Sequence, residues 1–129
     1  MKQVSLIFYI HFILTSCVNN PCEKKELSEP IRSNLNQIRK CYELELKENP
    51  KLEGDLFVRW IVNQSGVAKK IRFTKDNIKR ESLRSCIASQ IEAWSFCSPE
   101  KPTNHLLDLG FSKLPGDRAN VTLHRTIWP

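Results

Sequence analysis

The sequence lacks most of the residue patterns that enzymes and metal proteins need. It has no C-x-x-C pair, as a thiol oxidoreductase would carry, and no G-x-S-x-G element of a serine hydrolase. His105 and His124 do not show the ligand spacing of a zinc site. Glu43 and Glu45 lie two residues apart on a predicted helix, so their carboxylates do not face each other. We therefore expect a non-catalytic protein without metal or cofactor, with a small enzyme as the less favoured alternative.

The sequence also lacks an apolar run of the roughly 20 residues that a membrane-spanning helix needs. Residues 4–14 form a shorter run of eleven uncharged, mostly apolar residues behind Lys2, which is typical of an export signal. This run leads into Leu14-Thr15-Ser16-Cys17, which resembles the lipobox of bacterial lipoproteins. The resemblance implies cleavage before Cys17 and acylation of that cysteine, which would anchor the protein in a membrane. An ordinary secretory signal with an incidental cysteine is the alternative.

These features predict three segments along the chain. Residues 1–16 would be the signal peptide, residues 17–27 a lipidated tether and residues 28–129 one folded domain. Val18 stands where an aspartate would favour retention in the inner membrane, so we expect the outer membrane, with the domain facing the periplasm.

Acidic residues are outnumbered, with 14 Asp and Glu against 20 Lys and Arg, a net charge of +6. Cleavage before Cys17 would remove one basic residue, Lys2, and no acidic one, leaving +5. An exported basic protein meets anionic lipid headgroups and cell-wall polymers, and we expect no nucleic-acid partner.

Four cysteines remain besides Cys17, and an oxidising compartment would convert them to disulfides. They are Cys22, Cys41, Cys86 and Cys97. Four cysteines allow three connectivities, and their positions alone do not choose among them.

Hydrophobic periodicity predicts two helices and at least three strands. A helical stripe runs from Ser28, the expected N-cap with Pro30 in the first turn, to Glu48. Alternation with a period of two then predicts a β-hairpin over residues 56–74. A second helix follows from an expected cap at Ser82 to Trp94.

A third strand is predicted over residues 105–112, and residues 120–127 fit either a fourth strand or an extended tail. The order α-β-β-α-β, with a further β if that tail pairs, indicates an α+β domain of two layers. Two helices would pack on a small antiparallel sheet, with Trp60 and Trp94 on the core faces.

Residues 31–111 carry a series of short motifs in a fixed order. The motifs are Cys41-Tyr42-Glu43, Pro50-x-Leu52-x-Gly54, the strand Leu56/Val58/Trp60/Val62, Gly66-Val67, Cys86-Ile87 and Trp94-Ser95-Phe96. This series resembles the C-terminal domain of the AgmX/PglI family, a relative of the TonB and TolA C-terminal domains. Cys97 stands where that family usually has proline, and residues 113–129 have no counterpart in it.

The resemblance implies a disulfide between Cys41 and Cys86, because the family pairs the cysteines of its two helices. Cys22 and Cys97 would then form a second bridge.

The resemblance also implies a scaffolding role in the cell envelope, since TonB-like domains accept a partner's extended segment along a sheet edge. Candidate binding residues are Lys69, Lys70, Arg72 and Lys75, with Lys79, Arg80 and Arg84 adding to a positive field. Edge-strand lysines also commonly prevent unwanted pairing, which is the plainer interpretation. A second functional alternative is binding of cell wall or lipopolysaccharide through this basic surface.

Overall fold

A computed structural model describes residue 22 and residues 24–127 of the chain. The described elements are α1 (Lys24–Glu48), β1 (Gly54–Val62), β2 (Ala68–Asp76), α2 (Glu81–Ala93), β3 (Thr103–Leu114) and β4 (Arg118–Ile127). The predicted α+β class is confirmed, and the segment that fitted either a strand or a tail is the strand β4. The predicted signal peptide, Cys17 and Trp128 lie outside the described residues.

The four strands form one antiparallel sheet in the order β2-β1-β3-β4. On β1 the buried residues alternate, because Leu56, Val58 and Trp60 face the helices while the residues between them do not. The same face of β3 contributes Leu107, Leu109 and Phe111 to the core. One face of the sheet is therefore covered by α1 and α2, whereas no described element covers the opposite face, which we call the open face.

Both helices pack on the sheet through a single apolar stripe. In α1 the stripe comprises Ile31, Ile38 and Tyr42, and in α2 it comprises Leu83, Ile87 and Ile91, all at most 1% exposed. The Tyr42 hydroxyl donates a hydrogen bond to the carbonyl of Leu52, so the loop after α1 is held against the core. Neither described helix has the length and apolar character that a membrane crossing requires.

The predicted N-caps of both helices are wrong. Helix α1 begins at Lys24, so it includes residues 24–27, which we assigned to the tether, and Ser28 lies inside it. Lys, Glu and Leu have high helix propensity, which explains how the helix continues towards the N-terminus past Ser28.

Helix α2 begins after Arg80, so Ser82 is not its N-cap. The side chain of Ser82 instead forms a hydrogen bond with Glu45.

Two disulfides join the helical layer. Cys41 of α1 is bonded to Cys86 of α2, with a Cα–Cα distance of 5.8 Å. Cys22, just before α1, is bonded to Cys97 beyond the end of α2, at 5.9 Å. The first is the pairing that the family resemblance implied, and the second joins the two cysteines that were then left to pair.

Candidate interaction surfaces

The sheet has two edges, formed by β2 and β4, and they differ in regularity. Strand β2 is interrupted by two register shifts against β1, one between Phe57 and Val58 and one between Arg59 and Ile61. Lys70, beside the second shift, has a positive φ of 54°. Bulges and lysines are the usual means of blocking an exposed edge, so β2 is a poor template for an added strand.

Strand β4 is more regular along its length. Its register with β3 is continuous from the pair Leu114–Arg118 to the pair Leu109–Leu123, and the one shift comes after it, at His124. No described strand pairs with the other side of β4. Its outer backbone groups therefore present an ordered row of donors and acceptors.

His124 is turned onto the open face by that shift. Its ring lies above Gly110, where an added Cβ would come within 2.2 Å of Nε2. The same nitrogen is 3.6 Å from a carboxylate oxygen of Asp55, on the far side of β3. Gly110 thus leaves the space in which a β4 side chain reaches across to β1.

The basic residues of β2 gather on the open face. Lys69, Arg72 and Lys75 are exposed and stand opposite Ile61, Arg59 and Phe57 of β1, respectively. Alternate residues of a strand share a face, so three partners spaced by two place all three cations on one side. Lys69, Arg72 and Lys75 are three residues apart, a spacing that would place them on alternate faces of a regular strand. They share one face because each register shift inserts one extra residue into β2.

The structure adds one residue to this set and separates others from it. Arg59, which is not among the predicted binding residues, lies directly across from Arg72. The alternation along β1 predicts that Arg59 points away from the core, but its partner on β2 depends on the two bulges of that strand. Lys70 lies at a bulge and has no register partner on β1.

Arg80 and Arg84 do not contribute a free positive field, because both are held by carboxylates. Arg80 bonds Glu45 and Glu48, each at 2.7 Å, and Arg84 bonds Asp76 at 2.8 Å as well as Glu81. These pairs tie α2 and the loop before it to α1 and β2.

Glu45 is a buried carboxylate, only 6% exposed. Burial alone would raise its pKa, but hydrogen bonds from Ser82 and Arg80 outweigh this effect, and the pKa of Glu45 lies below its ordinary value. The charged form is therefore the stable one, and the group serves to join the two helices.

His105 lies in a buried aromatic cluster near the start of β3. Its ring stacks on Trp60 at 5.5 Å between centroids, and Nε2 is 2.7 Å from the hydroxyl of Thr103. Burial lowers the pKa of His105 to about 4, so the ring is neutral near pH 7. At 2% exposure it is out of reach of a substrate.

An open groove of about 630 Å³ runs between the start of α1 and the end of α2. Its lining mixes polar and apolar groups, and Trp94 donates a hydrogen bond across it to Gln37 at 3.0 Å. Within the described part of the chain, no group of three His, Cys, Asp or Glu side chains is placed to hold a metal ion. The candidate interaction surfaces of the described residues are therefore the two edges of the sheet and the basic residues on its open face.

Comparison of the chain with protein-family models, curated proteins and solved structures finds no match to any of them.

Proposed function

We propose that this protein is a non-catalytic interaction module of the bacterial cell envelope that binds an extended segment of a partner protein along β4. The observation that carries this proposal is the regular outer side of β4, with which no strand of the described residues pairs. A segment added there would extend the sheet, with main-chain hydrogen bonds supplying affinity and alternate side chains supplying specificity.

The contrast between the two edges supports β4 over β2. An added strand needs successive N–H and C=O groups at regular spacing, and the two shifts in β2 break that spacing. The single shift in β4 lies beyond Leu123, which leaves the preceding residues in one register.

We expect peptides selected from a random library on the immobilised full chain to bind β4. Selected peptides should show alternating β-branched or aromatic residues, and hydrogen exchange should slow at amides of residues 118–123. Proline at a β4 position whose N–H points to the outer side should abolish this binding, because proline removes that donor and obstructs the approaching strand.

Two neighbouring variants make this test specific. Successive N–H groups of a strand point to opposite sides, so one of Ala119→Pro and Asn120→Pro blocks the outer side while the other disrupts pairing with β3. The outer-side variant should keep its circular dichroism spectrum and lose peptide binding. Thr74→Pro, at a bulge of β2, is the control and should bind as wild type does. Peptides that bind all three variants equally would place the docking site elsewhere.

We further propose that the protein is anchored by acylated Cys17, in the outer membrane facing the periplasm. Cys22 is five positions after Cys17, so the anchor and the Cys22–Cys97 bridge can be at most about 18 Å apart. The proposed interaction would therefore take place close to the membrane surface.

Intact mass of the protein purified from its native membrane tests the anchor. We expect a mature chain that begins at Cys17 and carries acyl chains, with four thiols that become alkylatable only after reduction. An unlipidated mass would contradict the anchor, and thiols free before reduction would contradict the disulfides.

A further inference from the structure

We propose that Arg59 and Arg72 form a binding site for a phosphate monoester presented by an anionic lipid surface. The two arginines are direct cross-strand partners on the open face of the sheet. The phosphate site rests on their geometry alone, whereas the choice of a lipid as its source rests on the proposed anchor at Cys17.

The arrangement brings two positive charges together without an acid between them. The β-carbons of directly opposed residues are about 5 Å apart, and like charges at such positions destabilise a sheet. Within the described residues, neither guanidinium takes part in an ion pair or hydrogen bond. Arg39, Arg80 and Arg84 each have a carboxylate partner. An anion bound between Arg59 and Arg72 would relieve this repulsion.

A phosphate monoester matches the pair better than a carboxylate does. It carries a charge of about −1.5 to −2 at pH 7 and three acceptor oxygens, enough for two guanidinium groups. A carboxylate has one negative charge and two oxygens, which a single bidentate arginine already satisfies. The two positive charges of the site therefore favour the dianion.

Two further cations, Lys69 and Lys75, extend the site along β2. Together with Arg59 and Arg72 they form what we call the basic row. Lys69 and Lys75 stand opposite β1 residues two positions to either side of Arg59, the partner of Arg72, which places them roughly 7 Å from Arg72 along the sheet. The Lys75 ammonium lies 5.0 Å from the centroid of the Phe57 ring. Of the open-face acids on the described strands β1 and β3, Asp55 stands opposite Gly110 and Asp108 opposite Phe57, so neither is a direct cross-strand partner of a cation in the basic row. The row is thus suited to several neighbouring headgroups rather than to one small ion.

The position of this row is compatible with a membrane partner. The turn between β1 and β2 is bonded to the segment at Cys97, since the amide of Phe96 donates to the carbonyl of Gly66 at 3.0 Å. Cys97 carries the bridge to Cys22, where the proposed tether meets the domain. The basic row begins three residues after Gly66, so its first cation lies at the same end of the domain as the tether.

The test uses the full chain carrying Cys17→Ser, so that no acyl chain contributes to membrane binding. Vesicles of phosphatidylcholine contain either phosphatidic acid, a monoester, or phosphatidylglycerol, a diester, at matched surface charge. We expect tighter binding to the phosphatidic acid vesicles. Arg59→Gln/Arg72→Gln should weaken it by about tenfold or more. Because this double variant removes a like-charge opposition, it should unfold at no lower temperature than the parent.

The matched control is Lys40→Gln/Lys47→Gln, which removes the same charge from exposed positions of α1. This variant should weaken vesicle binding by less than about threefold. An equal loss in the two double variants would show general attraction of a basic protein and would overturn the site. Equal binding to the two anionic lipids would overturn the preference for a monoester.

Soluble competitors identify the source of the ligand. If inorganic phosphate binds as tightly as the vesicles do, the lipid surface is the wrong source. Tighter binding of poly-glutamate or an oligonucleotide at the same site would replace the proposal with a protein or nucleic-acid partner. Because Cys17 is absent from this experiment, a negative result here leaves the mass test of the anchor independent.

Discussion

At the scale of single residues, Gly66 shows how one turn joins the sheet to the segment that follows α2. Gly66 has a φ of +75°, and a Cβ added there would lie 2.2 Å from the carbonyl oxygen of Phe96. Gly116, in the turn between β3 and β4, has a φ of +84° but no atom within 4 Å of an added Cβ. Gly116 is therefore required only for its left-handed backbone, whereas Gly66 is required both for its left-handed backbone and because the backbone of Phe96 lies so close to it.

Gly66→Ala should lower the free energy of unfolding by about 3 kcal/mol or more, whereas Gly116→Ala should lower it by about 1 kcal/mol. Both variants pay the cost of a left-handed alanine, but only the first must also move the backbone at Phe96. Chemical denaturation of the two variants beside wild type measures the difference. Equal losses would mean that the contact with Phe96 contributes nothing.

At the scale of elements, the two disulfides hold the helical layer at different places. The Cys41–Cys86 bridge spans 45 residues and the Cys22–Cys97 bridge spans 75. On the chain-entropy model, loops of these lengths correspond to about 4 and about 4.5 kcal/mol of stability. Cys41, only 2% exposed, also packs in the core, whereas Cys22 is only partly buried.

We expect Cys41→Ser/Cys86→Ser to destabilise the domain by about 5 kcal/mol or more, and by at least as much as Cys22→Ser/Cys97→Ser despite the shorter loop. The physical reason is that a serine hydroxyl at position 41 would be buried among apolar side chains. Denaturant unfolding of both double variants, with mass spectrometry to confirm the remaining bridge, checks the order. A clearly larger loss for the Cys22–Cys97 bridge would show that fixing the start of α1 outweighs core packing.

The sequence predicted the kinds of elements well and their ends less well. Periodicity placed β1 and α2 correctly because each buries one face, and a buried face needs apolar residues at fixed intervals. It did not locate the start of α1, because residues 24–27 have high helix propensity but no apolar stripe that marks them. The bulges of β2 were also not predictable, since a bulge depends on the partner strand as well as on its own residues.

At the scale of the whole molecule, stability should depend on pH through buried groups that differ between the folded and unfolded states. His105 has a folded pKa of about 4, against about 6.5 in the unfolded chain. The unfolded state therefore binds more protons between these values, and stability falls as pH drops from about 6.5 to 4. The lowered pKa of Glu45 acts at lower pH, because its contribution is lost only below its unfolded value of about 4.3.

Between pH 7 and pH 4, wild type should lose about 3 kcal/mol of stability through His105. His105→Gln should remove most of this slope, because glutamine does not titrate. Glu45→Gln is the control: it should be less stable at pH 7, since it loses a charged hydrogen-bond partner of Arg80, yet keep the slope above pH 4.5. Denaturant unfolding at several pH values provides the measurement. A wild-type curve that is flat over this range would contradict the burial of a neutral His105.

The sequence was enough to predict the α+β class, the buried faces of the main elements and four cysteines that could form two bridges. These properties follow from local periodicity and composition, which need no knowledge of distant contacts. The three-dimensional arrangement was needed to learn which cations lack a carboxylate partner among the described residues, because Arg80 meets Glu45 across 35 residues and Arg72 stands opposite Arg59 through a bulged register. It also decided that β4 is the regular edge, because an edge is defined by where every other strand lies.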